Sequence, residues 1–392
     1  MEKILVLNSG SSSLKYQLFN VDGNGFEVVA KGLAERIGID GSFVSIKIGE
    51  NDKITKEIAL PTHNEAIKEV LELLKNGALN SIDELSGVGH RVVHGGEEFK
   101  ESVLVTDEVI AKIGELSALD PLHNPANLMG IKAIKELLPS MPQVAVFDTA
   151  FHQTMEPEAF LYALPLDQYK QHKIRRYGFH GTSHLFVSKQ ATELLGSNGN
   201  IITCHIGNGA SITAVKDGKS MDTSMGFTPL AGVVMGTRSG DIDPYIPLHI
   251  MKTQGRSAEE VNNLLNKQSG MLGLCGCSDN RDVEAKFFAG DKDAKVALDV
   301  YIYAIVKYIG AYAAAMGGVD AIVFTGGIGE NGVLVRKMVC DRIKFLGIDF
   351  DEEANKVRGE TINITKPSSK VKVFVIPTNE ELVIAQDTKK LM

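Results

Sequence analysis

Ile4-Leu5-Val6-Leu7-Asn8-Ser9-Gly10-Ser11-Ser12-Ser13-Leu14-Lys15-Tyr16-Gln17-Leu18-Phe19 decides how this chain is read. An apolar run opens it, a Ser/Gly turn interrupts it, and a second run resumes at Tyr16, the pattern of two strands meeting at a hairpin tip. Backbone amides, hydroxyls and Lys15 gathered at such a tip form a cradle suited to a phosphate chain. The same tip also serves as an ordinary serine-rich turn, and on its own the string supports both readings. It is no P-loop, since GxxxxGK[ST] occurs nowhere in the chain.

The layout recurs. Ile201-Ile202-Thr203-Cys204-His205 leads into Ile206-Gly207-Asn208-Gly209-Ala210-Ser211, and Ile212-Thr213-Ala214-Val215 resumes before Lys216-Asp217-Gly218-Lys219. The first copy likewise ends in Val21-Asp22-Gly23-Asn24. Two strand–turn–strand units suggest a duplicated domain, and two such tips can serve one phosphate chain.

Between and after the copies, strands and helices alternate, which predicts an α/β architecture. Thr62-His63-Asn64-Glu65 reads as a capping box ahead of Ala66, Ile67, Val70, Leu71 and Leu74, with Gly77 closing the helix. Strands are expected at Gly87–Val93 and Gln143–Phe147, with helices near Thr106–Ser117 and Ala126–Leu138. Val371–Ile376 reads as a strand before a last helix, with Thr378 and Glu381 spaced as a second capping box, leaving Glu380 to face a site.

Bulk properties narrow the class. The chain has 392 residues, more than one core sustains, so about two domains are expected. Its 41 basic and 49 acidic residues give a net charge of -8, which argues against nucleic-acid or anionic-membrane binding. Cys204, Cys275, Cys277 and Cys340 are too irregular for a disulfide framework, and Cys275-Gly276-Cys277 lacks the second pair a zinc site needs, so reduced thiols in a cytosolic protein are expected. No signal peptide is read at the N-terminus. Tyr301–Met316 is broken by Lys307 and Gly310, falls short of a membrane span and is expected as a buried helix.

Several strings carry chemistry. Thr325-Gly326-Gly327-Ile328-Gly329-Glu330-Asn331-Gly332 contains GxGxxG between a strand and the helical Val333–Phe345, with Asp349 beyond, so a dinucleotide reading competes with an ATP one. Arg91 in Gly89-His90-Arg91-Val92-Val93-His94-Gly95-Gly96 and Arg238 in Gly236-Thr237-Arg238-Ser239-Gly240-Asp241 stand among glycines, where a guanidinium fork can reach phosphoryl oxygens. Tyr177-Gly178-Phe179-His180-Gly181-Thr182-Ser183-His184 spaces two histidines like a zinc pair, but the HExxH glutamate is missing, so metal ligation there is not expected. Asp148 ends a strand, the usual place of α/β active sites, and is equally suited to capping a helix.

Together these strings resemble the acetate kinase family, over nearly the whole chain and in the same order. They are Asn8–Lys15, Gly89–Gly96, Phe147–His152, Arg176–His184, His205–Ser211, Gly236–Pro244, Phe324–Asn331 and Pro377–Glu381. The resemblance implies two ribonuclease H-like domains with mixed sheets flanked by helices, in the actin-like duplication around a nucleotide cleft. It assigns 1–150 plus 382–392 to the N-terminal domain and 151–381 to the C-terminal, nucleotide-binding domain that carries a homodimer contact. It implies reversible, in-line transfer of the ATP γ-phosphoryl to acetate, giving acetyl phosphate and ADP, in the cytoplasm. Catalytic roles fall to Arg91, Asp148, His180 and Arg238, and the acyl pocket to Arg91, Val93, Leu122, Phe179 and Pro229. Nucleotide contacts fall to Lys15, His205, Ile206, Gly207, Asn208, Gly209, Asp279, Asn280, Arg281, Gly327, Ile328, Gly329, Glu330 and Asn331. Mg²⁺, with Mn²⁺ as a substitute, falls to Asn8 and Glu380, hard oxygen donors that suit it. A carboxylate acceptor is ionised at neutral pH and needs no general base, so Asp148 is expected to position Arg91 or a magnesium-bound water. A propionate kinase of the same family, an actin- or chaperone-like ATPase and an NAD dehydrogenase are the competing readings.

Overall fold

The computed structural model describes residues 2–23 and 25–392; Asn24, the end of the first repeat as read above, lies outside them. The chain divides into two compact units, Met1–Ala150 with Asn379–Met392, and Phe151–Thr378. Glu380 therefore belongs to the first unit.

The first unit is built on eight strands: β1 (Glu2–Ser9), β2 (Ser13–Asp22), β3 (Gly25–Glu35), β4 (Phe43–Ile48), β5 (Ile54–Glu57), β6 (Leu85–Val92), β7 (Val103–Leu104) and β8 (Gln143–Phe147). Their order is β5-β4-β3-β2-β1-β6-β8-β7. β1 runs antiparallel to β2 and parallel to β6, and β6 runs parallel to β8. Central β1 is apolar without alternation because both its faces are covered. Leu5 and Leu7 pack with Leu14, Tyr16 and Leu18 under the helices His63–Lys75 and Asn124–Leu137. Ile4 and Val6 pack against Ile384 and Ala385 of the C-terminal helix Glu380–Leu391.

The second unit repeats the design with β9 (Ile201–Ile206), β10 (Ala210–Lys216), β11 (Lys219–Thr223), β12 (Ala321–Thr325), β13 (Ile362–Asn363) and β14 (Lys372–Val375), ordered β11-β10-β9-β12-β14-β13. Here β9 is antiparallel to β10 and parallel to β12, which is parallel to β14. The orders β3-β2-β1-β6-β8 and β11-β10-β9-β12-β14 are one topology used twice, so the α/β duplication expected from the two hairpin strings holds. Both glycine turns occupy the same place, the tip of the first hairpin in each sheet. The β10–β11 turn fits its sequence too, since Asp217 and Gly218 both take positive φ, as a two-residue hairpin requires.

Four local expectations change. The most apolar helix is longer than Tyr301–Met316: it runs Lys292–Met316, and by length and composition it reaches a membrane span. Its buried positions Ala294, Leu298, Tyr301, Ile305, Ile309, Tyr312 and Met316 recur at helical spacing, as in a core helix. Asn379, not Thr378, caps the C-terminal helix, its side chain accepting from the Leu382 amide. Thr62 caps through the Asn64 amide, and Glu65 bonds the Thr62 hydroxyl instead of closing a reciprocal box. The glycine string is itself helical, Gly326–Asn331, and is followed by Val333–Arg342 and the 3₁₀ turn Lys344–Leu346.

Candidate active site

In the first unit Asn8, Arg91 and Asp148 lie at or just past the C-terminal ends of parallel strands, where open α/β sheets place ligands, whereas in the second unit His180 precedes the helix Gly181–Leu195 and Arg238 stands in the loop after β11. In the first unit Arg91 sits near the end of β6, in register with Val146 of β8, and Asp148 follows β8 directly. The guanidinium meets the carboxylate side-on, Nε to Oδ1 at 3.3 Å and Nη2 to Oδ2 at 2.5 Å. Its Nη1 donates to Asn8 Oδ1 at 3.4 Å. Burial alone would lower the Arg91 pKa, but the Asp148 and Glu380 carboxylates outweigh it and hold the group above its ordinary value. Asp148 is 1 % exposed, so the pair fixes the direction of the arginine fork.

Glu380 completes this cluster. Burial, and then the neighbouring Asp148 charge, push its pKa up to about 7, against the pull of Arg91. Its Oε1 is buried and has no hydrogen-bond partner among the described residues. An orphaned carboxylate oxygen and the Asn8 amide oxygen are the hard donors that magnesium prefers, so the residues present fit that ion.

Two asparagines that the sequence reading did not select hold the loop after β6. Asn127 Oδ1 accepts from the Val93 amide (3.0 Å) while its Nδ2 donates to Ser9 O (2.7 Å). Asn124 accepts from the His94 amide and donates to His94 O. Both are buried on an otherwise apolar helix face, and polar residues spaced i, i+3 there were the available signal.

In the second unit His180, Arg238 and the Gly207–Gly209 tip converge. A Cβ added at Gly209 would lie 3.5 Å from Arg238 Nη1 and 3.7 Å from His180 Nε2. His180 stacks on His205 (centroids 4.2 Å apart) and bonds Ser211 Oγ through Nδ1 (2.9 Å). It takes φ +58, rare for a residue with a side chain and common at functional sites. His184 is spent on Thr203 and Ser211. Arg238 donates to Pro229 O and has no carboxylate partner among the described residues; burial lowers its pKa.

A cavity of about 620 Å³ lies beside this cluster, in the size range of small-molecule sites. Its walls include Gly207, Asn208, Asp279, Asn280, Arg281, Gly327, Ile328 and Asn331 from the expected nucleotide set, Ser278 that opens the expected Ser278–Arg281 cradle, and also Glu284, Gly332 and Arg358. Three other expected residues, Ile206, Gly329 and Glu330, face elsewhere. Ile206 is fully buried, and Gly329 packs on Phe324 and Cys204. His205 stays at the cluster, its ring on His180 and its Nδ1 bonded to Ser183 Oγ. Glu330 Oε1 accepts from the Gly326 and Thr378 amides, which caps the helix Gly326–Asn331 from within the fold. Gly326 needs φ +75 and would drive a Cβ to 3.0 Å from Ile206 O, so only glycine brings this backbone so close to β9. Lys15, in the first unit, is exposed on β2. Of the apolar residues expected to receive the acyl group, Val93 and Phe179 are buried, Pro229 is half-buried, and Leu122 is 72 % exposed.

Arg336 was not foreseen either. It is fully buried and forms no ion pair with a carboxylate among the described residues, and burial lowers its pKa to about 10. It donates to Gly329 O, Glu330 O, Asn355 Oδ1, Asn355 O and Val357 O, thereby closing the C-terminal end of the helix that walls the cavity. Arg336→Met should destabilise the protein by about 3 kcal/mol or more, because several buried oxygens lose their donor at once. Urea unfolding followed by circular dichroism would reveal it; a midpoint unchanged from wild type would make the network dispensable.

The duplicated α/β fold and the sequence family together define a phosphotransferase. The chain belongs to the acetokinase family, whose family model matches residues 3–386. It is 56% identical to the acetate kinase of Thermotoga maritima, over 100% of this chain and 98% of that protein. It is 55% identical to the acetate kinase of Carboxydothermus hydrogenoformans, over 100% and 99% of the two lengths. Among solved structures, the Porphyromonas gingivalis acetate kinase superposes with a TM-score of 0.96 at 49% identity, covering 100% of both chains. A propionate kinase from Francisella tularensis superposes at 0.94 with 44% identity, again over 100% of both chains.

Proposed function

We propose that this protein is a magnesium-dependent acetate kinase, moving the ATP γ-phosphoryl reversibly to acetate to give acetyl phosphate and ADP. The observation that carries the reading is Arg238, half-buried beside the glycine tip and His180 and without a counter-ion among the described residues. A cation desolvated in this way is ready for an anionic group that arrives with the substrate.

Acetate is already a carboxylate at neutral pH, so the chain need not remove a proton from it. Arg91 orients the acetate oxygens, and Asp148 holds the guanidinium in the plane that suits them. Arg238 and His180 stabilise charge on the transferring phosphoryl, whose transition state is loose and offers little else to stabilise. The Ser211 hydroxyl keeps the His180 ring in place. The second-unit cavity takes the nucleotide. Asn8 and Glu380 would hold magnesium, which when bound neutralises phosphate charge. The homodimer contact is assigned to the second unit, where Val296, Val300 and Tyr303 form an exposed apolar stripe on the helix Lys292–Met316. The expected location is the cytoplasm.

Propionate is the second acceptor to weigh, given the likeness to a propionate kinase. One extra methylene shifts discrimination by roughly 10- to 200-fold in a closed apolar pocket. Trapping the acyl phosphate as hydroxamate, with ATP, Mg²⁺ and either acid, should give a higher kcat/KM for acetate. A preference for propionate would reassign the substrate, and ADP release without any carboxylate or hydroxamate would remove the kinase reading.

A further inference from the structure

The sheet of the first unit is covered unevenly. On the face that carries Val6, the C-terminal helix packs over the centre. The rungs running outward on that face are Val6–Gln17, Gln17–Lys31 and Lys31–Lys47, with Asn8–Lys15 one rung along. Ile46 pairs with Ile54, which brings Lys53 beside Lys47 just ahead of β5. Lys15, Lys31, Lys47 and Lys53 line a mainly apolar hollow of about 280 Å³ together with Val6, Tyr16 and Leu33, and it also reaches Asn8 and Glu381.

Lys31 and Lys47 stand directly opposite each other on neighbouring strands, an arrangement that repels and costs stability. Among the described residues, no carboxylate pairs with Lys15, Lys31, Lys47 or Lys53. Glu381 is the one carboxylate in the lining, and it lies at the end shared with Asn8 and Lys15. The positive cluster thus runs against the overall charge of -8. A row of lysines on neighbouring outer strands is relieved of its repulsion when an oxyanion binds across it, since ammonium groups are compact point charges suited to phosphate. The hollow is under half the volume of the nucleotide cavity, so its occupant is smaller than a nucleotide.

We propose that Lys31, Lys47 and Lys53 form a second anion site at the outer end of this hollow, away from its Asn8 and Lys15 end, which binds phosphate, free or carried by a small ester. Thermal unfolding of the full-length protein in sodium phosphate and in sodium chloride of equal ionic strength tests it, with glycerol phosphate as a third arm. Phosphate stabilises proteins generally by exclusion, so the quantity to read is the difference between wild type and Lys31→Gln/Lys47→Gln/Lys53→Gln. Wild type should show a saturable phosphate-specific rise in Tm. The triple variant should melt higher than wild type in chloride, because the repulsion is gone, and should lose the saturable rise while keeping its hydroxamate activity. Lys31→Gln alone should weaken apparent phosphate affinity several-fold. A rise of equal size in wild type and triple variant would overturn the site, as would a wild type without any saturable rise. Equal responses to phosphate and glycerol phosphate would assign the site to small esters as well; a response to phosphate alone would restrict it to the free ion.

Discussion

Arg91→Ala is expected to lower kcat for hydroxamate formation by about 10³-fold, within the range for losing a guanidinium that stabilises phosphoryl transfer. The geometry predicts a second effect of the same substitution. Arg91 neutralises buried Asp148 and pulls down the pKa of Glu380. Without it, two carboxylates share one poorly solvated place, and leaving a buried charge unpaired costs about 3–5 kcal/mol. The variant should therefore melt at a lower temperature, and kcat must be measured where it is still folded. Free guanidine should restore part of the activity of Arg91→Ala, because the vacated space retains Asp148 to hold it. Asp148→Asn keeps the arginine and one acceptor oxygen, so its loss in kcat should be smaller, about 10- to 100-fold, with little change in KM for ATP. If Arg91→Ala kept kcat within about threefold of wild type, the arginine would have no part in the chemistry.

The duplicated fold was legible because its two hairpins carry their signal locally: an apolar run, a glycine tip, a second run. The same holds for Arg91 and Arg238, which stand out among glycines in one dimension. What remained hidden depends on contacts far apart in sequence. Asn127 is bound to Ser9 across the fold. Arg336 looks like an ordinary helix arginine until the chain returns at Asn355 and Val357 to surround it. Glu330 sits inside a glycine string that suggests ligand contact, yet its carboxylate turns back to cap its own helix and to hold Thr378. The helix Lys292–Met316 was under-measured because Lys295 and Asp299 mask its first turns, although its buried face already begins at Ala294. The lysine ladder was out of reach for the same reason: Lys31 and Lys47 become neighbours only once β3 and β4 pair.

Acid should unfold this protein well above the pH at which carboxylates usually dominate. Burial holds His90, His94 and His152 down to about 4. His184 lies lower than its ordinary value as well, through burial and then its His152 and His205 neighbours. The folded pKa is depressed in each case, so between about 6.5 and 4 the unfolded chain binds protons that the folded chain refuses, and stability falls as pH falls. His90 and His94 belong to the first unit, His152 and His184 to the second. Two such groups act together in each unit, so stability should fall steeply over this range. Glu380 acts in the opposite sense, because its raised pKa means that acidification from about 7 toward 4.5 favours the folded form of the first unit. The second unit has an offset of the same sign in Asp222, whose carboxyl burial raises above its ordinary value, so both units should weaken together. Urea unfolding at a series of pH values from 7 to 4.5 should show a steep loss of stability, with proton uptake on unfolding by calorimetry. His90 has a buried Nε2 without a partner, so His90→Leu should remove about one proton from the first unit's uptake and flatten its slope. Stability that stays level from pH 7 to pH 5 would mean that these imidazoles take up protons in the folded state without resistance.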